Sequence, residues 1–185
     1  MHNQSWVIRA RRWAALGVCA VALTAGVSAA PQHGTHGGGD SESPFVDQVR
    51  RATEPFQDVR RAIAAGYEQF LGCVSGPQEG AMGIHFVNAP LVGDGELDAD
   101  HPEALVYEAK DGRVRLVAVE YIVVADAWHA NHALPPVLNG QVFQYNGSPN
   151  RYGLPAFYEL HVWAWRDNPH GAFVDWNPRV SCEGQ

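Results

Sequence analysis

Two strand-like runs, Leu105-Val-Tyr-Glu-Ala-Lys110 and Arg113-Val-Arg-Leu-Val-Ala-Val-Glu-Tyr-Ile-Val123, flank a single Asp111-Gly112 pair. Asp-Gly is the dipeptide favoured by a two-residue hairpin turn, because both central positions need positive φ. The pattern predicts an antiparallel hairpin from Ala104 to Val124 and commits the chain to a sheet. That turn sets Lys110 opposite Arg113, Glu108 opposite Arg115 and Tyr107 opposite Leu116, and facing residues project from one side. Glu108 is expected to form a cross-strand ion pair. Glu120 has no such account: alternation places it with Leu105, Tyr107, Val114, Leu116, Ala118 and Ile122, and a carboxylate on an apolar face needs a specific partner.

Phe157-Tyr-Glu-Leu-His-Val-Trp-Ala-Trp165 reads as the central strand. Extended, it puts Phe157, Glu159, His161, Trp163 and Trp165 on one side, and Tyr158, Leu160, Val162 and Ala164 on the other. The second face is core. The first combines a carboxylate and an imidazole with large aromatics, and each polar group there needs a partner.

Upstream, Ser43-Pro44 fits an N-cap and first helical position. Phe45, Val49, Ala52, Phe56, Val59 and Ile63 then recur at helical spacing. Pro55 is expected to restart the helix and Gly66 to end it. Arg50, Arg51, Arg60 and Arg61 fall on the outer, solvated side. Val74–Gly80 and Leu91–Pro102 read as turn-rich connections, with a short strand from Met82 to Val87 between them whose one face carries Gly83, His85 and Val87. The fold class expected is α+β: an N-terminal helical region packed on a mostly antiparallel, twisted sheet or small β-barrel.

Arg9, Arg11 and Arg12 precede an uncharged run ending in Val27-Ser28-Ala29, the layout of a secretory signal peptide over residues 1–29. Residues 30–43 are rich in Gly, His and Ser and are expected to form a disordered leader, leaving 44–185 as one globular domain. The chain carries a formal net charge of −7, and losing residues 1–29 removes three cations and no acid, giving −10. Nucleic acid and anionic membrane surfaces are poor partners for such a chain. A secreted or periplasmic location follows from the signal, and Cys73 and Cys182, the cysteines left after cleavage, are expected to form a disulfide.

The sequence holds no Gly-rich phosphate loop, Gly-x-Ser-x-Gly elbow, His-Glu-x-x-His helix or Cys-x-x-Cys pair. What stands out is His85, Glu120, Glu159 and His161, each on a predicted strand among apolar neighbours. Two imidazoles and one or two carboxylates are the ligands that Zn, Mn, Fe or Cu take, and a catalytic ion keeps positions open. Glu120 and Glu159 are also the candidates for general acid and base. The arrangement resembles cupins in placing two histidines and a carboxylate on strands; the cupin His-x-His and its following Glu are absent, so no residue role is carried over. The function expected is an exported metal-dependent enzyme acting on a small molecule. The alternative is a carbohydrate- or apolar-ligand-binding module built on Trp163 and Trp176.

Overall fold

The computed structural model describes residues 43–183. The expected signal peptide, and the leader apart from Ser43, lie outside them. The Asp-Gly hairpin forms as its turn chemistry requires: Asp111 and Gly112 take φ of 52° and 70° between β3 (Ala104–Lys110) and β4 (Arg113–Val124). Lys110 pairs with Arg113, Glu108 with Arg115 and Tyr107 with Leu116. Beyond that point the register shifts, and Val106 pairs with Ala118. The extra residue on β4 reverses the alternation. Leu116 and Val119 therefore join one buried cluster, whereas Val117 and Ala118 join another. Glu120 lands on the face opposite Tyr107 and Leu116, which corrects the face expected from simple alternation. Glu108 is also corrected: it is buried, and its Oε1 accepts from the Ser181 amide at 3.2 Å instead of pairing with Arg115.

Around this hairpin the chain builds β1 (Glu68–Gly76), β2 (Gly80–Val87), β7 (Gln144–Asn146) and β8 (Phe157–Val162). They form a curled antiparallel sheet in the order β1-β2-β3-β4-β8-β7. Its two end strands do not pair with each other, so it is an open half-barrel. A separate two-stranded ribbon joins β5 (Val137–Leu138) to β6 (Gln141–Val142). β1 begins two residues after the expected helix end at Gly66 and takes up the first part of the expected Val74–Gly80 connection. It is an edge strand, mostly exposed, with register shifts between Phe70 and Ser75 and Leu71 at φ 62°.

Four short helices accompany the sheet: α1 (Pro44–Thr53), α2 (Val59–Ala64), α3 (Ala89–Gly93) and α4 (Ala125–His129). Ser43 caps α1 by accepting from the Val46 amide, and a 3-10 turn containing Pro55 separates α1 from α2. Phe45, Val46 and Val49 are buried, but Ile63 is 55% exposed because α2 starts a new helical phase after that break. The Phe45 ring lies 5.9 Å from that of Tyr121. Arg50 is not purely solvated: its Nε donates to the Ala164 carbonyl at 2.6 Å.

The central strand ends at Val162, three residues early. Trp163 donates its backbone N–H to Ala172, and Trp165 packs against the main core with its Nε1 donating to Thr53 Oγ1 at 3.0 Å. Cys73 and Cys182 are joined, with 5.6 Å between their Cα atoms.

Candidate metal centre

The hydrophobic cluster that contains Tyr107, Leu116, Tyr121 and Leu160 occupies one face of the sheet. On the other face, β4 contributes Glu120, β8 contributes Glu159 and His161, and β2 contributes His85. Glu120 is the register partner of His161, and Ile122 that of Glu159. β3 runs between β2 and β4, presenting Ala104 opposite Glu120 and Val106 opposite His85. The methyl group of Ala104 lets the two longer side chains lean across β3, and His85 Nε2 comes within 3.3 Å of Glu120 Oε2.

His85, Glu120 and His161 each turn a ligand atom inward, and these atoms lie within 4.8 Å of one another. In a tetrahedral arrangement two ligands held at about 2.0–2.2 Å by one ion stand about 3.3–3.6 Å apart, so side-chain movements of up to about 1.5 Å complete the set. His161 is 1% exposed, yet neither Nδ1 nor Nε2 has a hydrogen-bond partner. Buried polar atoms are normally paired, and an unpaired one costs free energy. Its ring sits 4.8 Å from that of Trp163 and 6.1 Å from that of His85.

Burial, then the proximity of His85, holds His161 well below the usual imidazole range. Burial pushes His85 down to about 4, against the pull of Glu159 and a hydrogen bond with the Gly83 backbone. Both rings are neutral at pH 7, the form that ligates metals. Burial raises Glu120 to about 7, opposed by its hydrogen bond with Glu159. Burial and then the Glu120 charge push Glu159 up to about 10. Glu159 is therefore the protonated partner, donating to Glu120 while its Oε1 accepts from Asn146 Nδ2 at 2.6 Å.

His85, Glu120, Glu159 and Tyr152 supply the polar lining of a cavity of about 290 Å³. Its other walls are apolar: Phe70 and Val74 from β1, Val92 from α3, Ile122 from β4, and Leu154 and Phe157. Chemically, two imidazoles and a carboxylate can hold a divalent ion with positions left open, beside a carboxylic acid able to move a proton.

Of the four expected ligands, three converge; Glu159 stands beside them, hydrogen-bonded to Glu120. Trp163 is 1% exposed and its Nε1 donates to the Val174 carbonyl at 2.6 Å. Trp176 is half-buried, 5.7 Å from the Arg151 guanidinium carbon, and does not line the cavity. Sequence reasoning missed Asn146 and Tyr152. Asn146 looks like a turn residue in Asn146-Gly147-Ser148, and only its pairing opposite Phe157 brings it to Glu159. No protein-family model, curated protein or solved structure matches this chain.

Proposed function

We propose that the protein binds one divalent transition ion, Zn, Mn, Fe or Cu, through His85, Glu120 and His161, and acts outside the cytoplasm as a metal-dependent enzyme on a small molecule. The observation that carries this reading is His161: a buried imidazole with both nitrogens unpartnered, beside a second neutral imidazole and a carboxylate. An ion bonded to one of its nitrogens would supply a partner for one of the two. Three protein ligands leave coordination positions for substrate or water, as catalytic sites do. Glu159, held by Asn146, is placed to give or take a proton at the cavity floor.

Export is supported by the Cys73–Cys182 bridge, which persists in an oxidising compartment. Among the described residues no helix is long and apolar enough to cross a membrane. The Phe45–Tyr121 and Arg50–Ala164 contacts support reading the N-terminal helices as the cover of the sheet face opposite the site. A second reading, a non-catalytic carrier of a small apolar ligand, is favoured by the cavity walls. Sugar binding loses support with the burial of Trp163.

Elemental analysis of protein purified without chelator tests the metal reading. A stoichiometric transition metal that is lost in His161→Ala supports it. Metal-free protein whose melting temperature is indifferent to added Zn, Mn, Fe and Cu overturns it.

A further inference from the structure

The cavity over the His/Glu floor also limits which molecules it can take. Its polar side chains are those of His85, Glu120, Glu159 and Tyr152, and Glu120 contacts both His85 and Glu159, so most of the polar lining gathers at one place under apolar walls. A ligand with polar groups spread over its surface would leave most of them without partners against Phe70, Val92 and Phe157. A sugar is such a ligand. No Lys or Arg lines the cavity. Arg151, which lies against the Tyr152 and Trp176 rings, is not part of its walls. With two carboxyls in the floor and no cationic side chain, a carboxylate or phosphate finds no counter-charge in the protein itself, and an ion on His85, Glu120 and His161 would be its one source of positive charge.

Size follows from volume. A cavity of about 150 Å³ accepts benzene, and this one is about 290 Å³. We infer that it takes an uncharged, mainly apolar molecule of about ten to twelve non-hydrogen atoms, with one hydroxyl or carbonyl oxygen turned toward His85, Glu120 and Glu159. The oxygen's anchor rests on the metal reading given above; the apolar fit does not. Leu71 on β1 and Ala89 and Gly93 on α3 are the exposed residues of the lining, which makes the rim they form the natural entry.

The test uses 2-naphthol as probe, with 2-naphthoate and glucose as counter-probes, titrated calorimetrically into the full chain, metal-loaded and chelator-treated. Val92→Trp and Leu154→Trp fill the cavity while leaving His85, Glu120 and His161 unsubstituted. The expected result is 2-naphthol binding to the chelator-treated chain roughly tenfold or more tightly than either counter-probe, and a loss of roughly tenfold or more in each Trp variant. If neither variant folds, magnetisation transfer from naphthol protons to the Val92 and Leu154 methyl groups of the unaltered protein decides the location. Equal or tighter naphthoate binding to the chelator-treated chain, or naphthol affinity unchanged in the folded Trp variants, overturns the inference. If no preparation carries metal but naphthol still binds through these walls, the metal reading fails and the ligand class stands. Bound metal without naphthol binding has the opposite meaning.

Discussion

Glu120 and His161 face each other across the β4–β8 pair, on a sheet face that Glu120 reaches only because β4 carries one extra residue opposite Val106 and Tyr107. The bulge is thus a determinant of the site as well as of the sheet's curl. Without it, the carboxylate would turn into the main core and His161 would be left facing an apolar neighbour.

Loss of Asn146 is expected to act on the metal through Glu159 and Glu120. Partners that orient ligating groups are typically worth about 10–100-fold in affinity. Asn146→Ala should weaken metal binding by about that factor, and Glu159→Gln, which keeps a neutral hydrogen-bonding group, by less. Competition titrations with a chromophoric chelator measure both. Asn146→Ala binding metal as tightly as the unaltered protein would remove Glu159 from the site's support.

Glu103, which sequence reasoning passed over, sets an expectation for pH. It is 2% exposed, its Oε2 accepts from the Ile122 amide at 2.9 Å, and burial pushes its pKa up to about 8, opposed by backbone hydrogen bonds. The unfolded carboxyl ionises near its ordinary 4.5 while the folded one stays protonated to about 8. In that window the native state holds the extra proton, so stability is fullest below the lower value and falls as pH rises, by up to about 5 kcal/mol from this group. Glu103→Gln, neutral at every pH, should flatten the decline between pH 5 and 8 in urea denaturation. An unchanged slope would contradict the assignment.

Replacing both cysteines by serine opens a link across 109 residues of sequence. Chain entropy alone makes that worth about 5 kcal/mol. Equilibrium denaturation of Cys73→Ser/Cys182→Ser should show a loss of that order. A loss under about 1 kcal/mol would mean that the bridge does little to restrict the unfolded chain.

What could be read from sequence was local. Asp111-Gly112 specifies its own turn, so the hairpin and the first paired residues followed from two positions. His85 and His161 were identifiable because imidazoles among strand apolars need explaining. The bulge was not legible, since nothing in Leu116-Val-Ala-Val119 marks which residue goes unpaired. β1 was missed because an exposed edge strand lacks the alternation that burial imposes. Trp165 was placed on the wrong face because the strand stops at Val162, where Trp163 bonds to Ala172 instead of continuing the ladder. Convergence of His85 with Glu120 depends on a small residue, Ala104, in the strand between them, a relationship carried by three strands at once.

Absorption spectroscopy at the K-edge of whichever ion the protein retains tests the central claim most directly, because it reports the ligands themselves. The result expected is two imidazole nitrogens and at least one carboxylate oxygen at about 2.0–2.2 Å, with one imidazole lost in His161→Ala. A spectrum with no imidazole scattering, or one that His161→Ala leaves unchanged, would contradict a metal centre built on His85, Glu120 and His161.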